Sequence, residues 1–223
     1  KIEDFDLIIF DRYKRRGILP SLYLRNVVDY VNNGGAVLLA AGPDFATADS
    51  LYRSPLSEIL PAGPTAIVVN QPFVPLVSDV GNRHPVTAGL PDIDTWGEWL
   101  RIVDVMPDRG HVVMTGADDR PLLTLDRVGD GRVALLASDQ AWLWARGYDG
   151  GGPQLELLRR LAHWMMAEPD LEEEALWGEA VGQKMRILRR SLTPEVGDVE
   201  IETPSGEKVT LPLKETQPGM FEA

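Results

Sequence analysis

Residues 129–166 read GDGRVALLASDQAWLWARGYDGGGPQLELLRRLAHWMM, and the reading of this stretch decides the fold. Arg132-Val133-Ala134-Leu135-Leu136-Ala137 is a short, nearly continuous apolar run, the pattern of a strand covered on both faces. Ser138-Asp139-Gln140 breaks the run, Trp142 and Trp144 follow two residues apart, and Gly150-Gly151-Gly152 frees the backbone. Pro153 suits the first turn of a helix, where its missing N–H costs nothing. On a helical wheel Leu155, Leu157, Leu158, Leu161, Ala162, Trp164, Met165 and Met166 fill one broad arc, and Glu156, Arg159, Arg160 and His163 fill the rest. Such a helix lies on a sheet. The loop before it leaves the carboxyl end of a strand, where open α/β sheets usually hold their ligands.

Working outward, Asp6-Leu7-Ile8-Ile9-Phe10 is a compact buried strand ending at Asp11, and Leu7 to Phe10 is expected among the central strands with Ala36 to Ala41 and Arg132 to Ala137. Pro20 opens a helix whose Leu24, Val27, Val28 and Val31 share a face, and Asn33-Gly34-Gly35 closes it. Ala36-Val37-Leu38-Leu39-Ala40-Ala41 follows at once as a second buried strand. Strand, helix and strand with short joints predict a right-handed βαβ unit and a sheet that is at least partly parallel. Further strands are predicted at Thr65 to Val69, Leu100 to Val105, His111 to Thr115 and Leu122 to Val128. The last forms a hairpin with Arg132 to Ala137 across Gly129-Asp130-Gly131.

After the long helix the composition shifts. Glu168-Pro169-Asp170-Leu171-Glu172-Glu173-Glu174 is acidic and reads as a linker or a short solvated helix. Beyond Lys184 the pattern turns to period two: Val199, Ile201 and Thr203 alternate with Glu200 and Glu202. Pro204-Ser205-Gly206 makes a turn, and Val209, Leu211 and Leu213 alternate on the return. The organisation expected is an α/β domain over residues 1–168, an acidic linker over 169–183, and an incomplete immunoglobulin-like β-sandwich module over 184–223.

Composition narrows the partners. The formal net charge of −12 argues against nucleic acid and anionic membrane surfaces, both of which need a basic face. No apolar run approaches the roughly 18 residues of a membrane span. The first residue is Lys and a strand begins within a few residues of it, which reads as a segment of a longer protein. Zero cysteines exclude disulfides, thiolate zinc sites and a cysteine nucleophile together.

Several pieces occur in one order: Asn33-Gly34-Gly35 through Ala41-Gly42-Pro43; Ser54-Pro55-Leu56 to Leu60-Pro61; His84-Pro85-Val86-Thr87-Ala88-Gly89-Leu90; Pro121-Leu122-Leu123; and Gly131-Arg132-Val133 through Ser138-Asp139 to Trp142-Leu143-Trp144. This set resembles the glutamine-amidotransferase-like domain of large bacterial membrane proteins, over about the first three-quarters of the chain. The resemblance implies a flavodoxin-like fold, with a mostly parallel sheet, helices on both faces and an antiparallel edge. It also implies a membrane-anchored parent whose soluble domain is extracytoplasmic. Working members of that class use a cysteine on a strand-to-helix elbow, with His and Glu after a later strand. Here the elbow reads Ala41-Gly42-Pro43-Asp44 and the later position reads Ser138-Asp139-Gln140, so the resemblance argues for the fold and against the activity.

Other chemistry is thin. His84, His111 and His163 fall in a turn, at a strand start and on a polar helix face, and no pair has zinc-ligand spacing. No cofactor or metal is expected. Candidate ligand-binding residues are Gly42, Asp44, Asp139, Gln140, Trp142 and Trp144, with Asp139 read first as an acceptor for loop N–H groups and the tryptophans as rim packing. Asp44 is the one residue able to rescue a nucleophilic reading. The expected function is a non-catalytic structural or interaction module, with protein partners or neighbouring domains of its parent chain. The alternative is a divergent hydrolase or a small-ligand binder using a cleft near Gly42, Asp139 and Trp142. A deep cleft that brings a histidine to Asp139 would favour the alternative.

Overall fold

Residues 2–203 and 205–223 are described by a computed structural model of the chain. The strand–helix–strand expected from the apolar spacing is present: β1 (Leu7–Asp11), α1 (Ser21–Asn32) and β2 (Ala36–Ala40). β1 and β2 run parallel, with Leu7 beside Ala36 and Asp11 beside Ala40. β3 (Ala62–Val69), β4 (Leu76–Val77), β5 (Ile102–Pro107), β6 (His111–Thr115), β7 (Pro121–Val128) and β8 (Gly131–Leu136) follow. Six of these make one sheet in the order β1-β2-β8-β7-β6-β4, while β3 and β5 pair separately.

That sheet is mixed. β2 pairs with β8 in parallel, but β8–β7, β7–β6 and β6–β4 are antiparallel. Helix is scarce: among the described residues there are three α-helices, α1, the four-residue α2 (Trp142–Ala145) and α3 (Gln154–Met165). The expected flavodoxin-like fold, a mostly parallel sheet with helices on both faces, is therefore corrected. Parallel neighbours need a crossover of a dozen or more residues, whereas antiparallel ones need only a tight turn. After β2 the chain makes short 3-10 turns (Pro43–Ala46, Leu51–Arg53 and Pro55–Glu58), and β6, β7 and β8 later follow one another on short joints. Local connection length favours antiparallel pairing there.

The core of the sheet is its middle. β8 is buried along its whole length, and Leu38, Leu39, Leu122, Leu123 and Leu125 pack around it. Gly131 starts β8 because nothing larger fits: a Cβ there would lie 2.1 Å from the Val31 carbonyl oxygen at the end of α1. The expectation of β1 as a central strand is also corrected. β1 is an outer edge, with Phe10 buried and Ile9 exposed. On α3 the apolar arc is narrower than the wheel suggests. Leu157, Leu161, Trp164 and Met165, at helical spacing, are buried, while Leu155 and Met166 are exposed.

Beyond α3 come β9 (Ala175–Val181), β10 (Lys184–Arg190), β11 (Val199–Glu202), β12 (Lys208–Leu211), β13 (Lys214–Gln217) and β14 (Met220–Glu222). They form a four-stranded antiparallel sheet, β13-β14-β10-β9, and a separate β11–β12 hairpin. The turn expected at 204–206 includes Pro204, which lies outside the described residues. Within the linker expected over 169–183, seven residues are β9 and Glu173 is buried. Alternation in Ala175–Val181 is masked by Gly178 and Glu179, but pairing with β10 satisfies its backbone.

Candidate functional site

Because β1, β2 and β8 run parallel, their carboxyl ends open at one edge of the sheet. The residues that follow them meet there: Arg12 and Lys14 after β1, Gly42 and Asp44 after β2, and Ser138, Asp139 and Gln140 after β8. Asp139 is the centre. Its side chain is only 2% exposed, and Arg101 Nη2 donates to both carboxylate oxygens at 2.9 and 2.8 Å. Arg12 Nε approaches the same carboxylate at 3.1 Å from a side chain that is 62% exposed. The Arg12 stem lies over Gly42, where an added Cβ would stand 3.3 Å from its Cγ. Lys14 Nζ bridges Asp44 at 2.9 Å and Asp49 at 3.3 Å, and these bonds raise its ammonium pKa above the usual lysine value.

The neighbours of Asp139 are structural in their bonding. Ser138 Oγ donates to the Arg101 carbonyl at 2.7 Å and accepts from the Gln140 N–H at 3.2 Å, so its hydroxyl is engaged on both sides. Gln140 Oε1 accepts from the Leu100 N–H at 2.6 Å. Trp144 is buried, donates from Nε1 to the Gly97 carbonyl at 2.8 Å, and packs its ring 5.0 Å from Trp96 and 5.1 Å from Trp99. Gly152 lies against that ring, so the glycine run before α3 is a packing surface for Trp144. Trp142 alone of the tryptophan pair is exposed. Of the expected candidates, Gly42 and Asp139 share the Arg12 side chain, whereas Asp44 pairs with Lys14. Gln140 and Trp144 instead brace the loops beneath.

No histidine reaches Asp139. His84 is fully buried elsewhere, its Nδ1 accepting from the Val86 N–H at 3.2 Å, which leaves the proton on Nε2. That Nε2 faces Glu173 Oε1 at 3.5 Å, longer than a hydrogen bond, and the His84 ring packs edge-on to Trp164. Burial pushes the His84 pKa below the ordinary value of 6.5 despite the carboxylate. Burial would raise Glu173 in turn, but the His84 N–H and the Arg127 guanidinium outweigh it and hold the carboxyl well below its usual range. Trp164 Nε1 also donates to Glu173 at 2.9 Å, and Arg132, beneath, bonds both Glu172 and the Trp164 carbonyl.

Two cavities open away from Asp139. One of about 940 Å³ runs along β1 and α1, and one of about 490 Å³ lies beside Asp126, Arg127 and Glu172. Sequence reading missed Arg12, Arg101 and the Arg127–Arg132 pair. The available signal was an acid, Asp139, directly after a wholly apolar strand, which needs a cation once buried.

No family model matches the chain, and no curated protein matches it. Among solved structures the chain is similar to the cytoplasmic protein STM3548 from Salmonella typhimurium, with a TM-score of 0.60 and 19% identity over 74% of this chain and 73% of that one. It is equally similar to the cytoplasmic protein STM1381 from Salmonella typhimurium LT2, with a TM-score of 0.60 and 20% identity over 73% of each chain. A β-galactosidase from Rahnella sp. R3 aligns with 100% of this chain at a TM-score of 0.51 and 14% identity, but the match spans only 33% of the enzyme. Identities this low show a shared fold alone.

These findings correct two expectations. The resemblance to the glutamine-amidotransferase-like domain is not sustained, because no family model supports it and the similar structures are two cytoplasmic proteins and part of a β-galactosidase. The membrane-anchored, extracytoplasmic parent is overturned with it. Both Salmonella proteins are described as cytoplasmic, and no helix among the described residues is long and apolar enough to cross a membrane.

Proposed function

We propose that this chain is a non-catalytic module serving structure or interaction. One observation carries the reading: the acid at the carboxyl edge of the parallel strands is taken up by two guanidinium groups. A general base or nucleophile needs a partner poised to take or give a proton. An arginine cannot accept one at any working pH, and two of them fix the position of the carboxylate. Ser138, beside it, has both hydrogen-bonding roles filled by backbone. The β-galactosidase alignment adds support, since a region the size of this whole chain occurs as one-third of a larger protein.

The test is direct. Purified protein incubated with glutamine, simple amides and esters, and an aryl β-galactoside should give no turnover above buffer. Turnover that disappears in Asp44→Ala or Asp139→Asn, but survives in surface controls, would overturn the reading. A second reading, small-anion binding, is favoured by the Arg12 side chain, which is 62% exposed and lies over Gly42. Calorimetric titration with phosphate and short carboxylates separates it from the first.

A further inference from the structure

We infer that His84 is the trigger of an acid-opened latch: a second proton on its ring unwinds the turn over residues 78–90 and frees the β13–β14 end of the C-terminal sheet, which stays hinged at Glu172 and Glu173. Three observations carry it.

The first is a seam held by polar contacts. Beyond α3 the buried apolar side chains among the described residues are Ile187 and Phe221, and neither joins the main core. The seam contains the 490 Å³ cavity, lined by His111, Asp126 and Arg127 from the sheet and by Glu172, Glu174 and Thr193 from the segment after α3. Two sets of contacts cross it. In one, Arg127 and Arg132 hold Glu172 and Glu173. In the other, Arg83 meets Glu215 at 2.7 Å and the Thr193 carbonyl at 3.3 Å. Gly219 also lies against the Arg83 backbone, where an added Cβ would stand 2.9 Å from its Cα.

The second is how the turn that carries Arg83 is wound around His84. The Thr87 hydroxyl donates to the Gly81 carbonyl at 2.7 Å, and the Ala88 N–H donates to the His84 carbonyl at 2.8 Å. His84, Val86 and Thr87 are fully buried. An imidazolium has two donors and no acceptor. The added proton would sit on Nδ1, which faces the Val86 N–H at 3.2 Å, donor against donor. A buried donor without a partner is costly, so the turn has to unwind to give that proton an acceptor.

The third is selectivity for His84 in mild acid. The charged groups around its ring are Glu173 after α3, Arg127 on β7 and His111 on β6. From α3, Arg160 bonds the Ala88 carbonyl at 2.6 Å, and Arg132 of β8 lies over the far ring of Trp164. Only Glu173 favours a cation, and Arg127 already claims it. Burial accordingly lowers the His84 pKa from 6.5. Glu173 and Glu215 are held below the usual carboxyl range, so both sets of contacts remain ionised at pH 5. His163 pairs with Glu168 at 2.9 Å, a contact that protonation strengthens.

An opened turn titrating near 6.5 takes up a proton that the closed one refuses, so the opening constant should rise by up to about 25-fold from pH 7 to pH 5. Hydrogen exchange read by mass spectrometry on the 223-residue chain, corrected for intrinsic rates, should accelerate by up to that factor in residues 78–90 and 214–222. Residues 36–40 and 131–136 should not change. Nitrogen NMR of the three histidine rings should show one with its proton on Nε2 at pH 7 that protonates with the midpoint of the opening. His84→Asn, whose amide oxygen can accept from the Val86 N–H, should remove the response, while His111→Gln and His163→Gln keep it. Glu215→Ala should speed exchange over 214–222 at pH 7 and leave 78–90 protected. Acceleration in every strand together, a response that survives His84→Asn, or no change between pH 7 and pH 5 overturns the inference. Should His84→Asn not fold, a ring midpoint apart from that of the opening overturns it equally. None of these results touches the non-catalytic reading, which the turnover assays decide.

Discussion

Asp139 binds two arginines with one carboxylate, and the two are not equivalent. Arg101 is 27% exposed and makes the bidentate contact, whereas Arg12 reaches in from solvent with one nitrogen. Removing Arg101 strands most of a buried negative charge, for which roughly 2–4 kcal/mol is expected. Removing Arg12 deletes a largely hydrated contact worth less than about 1 kcal/mol. Urea denaturation of Arg101→Ala and Arg12→Ala measures the difference, and equal losses would mean that Asp139 is not anchored as described. Asp139 was legible from sequence as a polar residue after a buried strand. Its partners were not, because Arg101 lies 38 positions away and meets it only through packing beside β5.

At the scale of elements, the segment between β4 and β5 is tied to the segment after α3 through His84 and Glu173. The pH dependence of that tie has a definite sign. The folded pKa of His84 is lowered, so below 6.5 the unfolded chain takes up a proton that the folded chain refuses. Stability therefore falls as pH drops beneath about 6.5. Glu173, held well below its ordinary 4.5, adds stability that is complete above that value and is lost as pH falls further. Urea midpoints should accordingly decline between neutral pH and pH ~5.5, and His84→Asn, which keeps an acceptor for the Val86 N–H, should flatten that first decline. An identical slope in the variant would rule out His84 as its origin. Other elements were readable in place: α1, β2 and β8 lie where apolar spacing put them. The short 3-10 turns after β2 gave no such signal, because serine and proline punctuate many loop conformations equally well.

For the whole molecule, the informative segment is the one that follows residue 168. An acidic run suggested a solvated joint. Instead Glu172 and Glu173 neutralise Arg127 and Arg132, and the Arg132 side chain is 5% exposed above the Trp164 ring. A chain ending at Glu168 should lose roughly 3–5 kcal/mol relative to one ending at Glu174, since it leaves a buried guanidinium unpaired. Thermal melts of the two truncations, compared with the full chain, test this. Similar melting of both would support a boundary at residue 168.

By itself the sequence determined the strong local periods, namely the strand–helix–strand start, the buried β8, the amphipathic α3 and the period-two tail, together with the absence of thiol chemistry. Each follows from side-chain spacing within one element, which the chain carries on its own. Only the tertiary structure decided that the sheet is mixed, that β1 is an edge, and that Asp139 and Glu173 are claimed by arginines. Strand order and ion pairing depend on which distant segments pack together, and residues 38 to 46 positions apart along the chain leave no periodic trace of that choice.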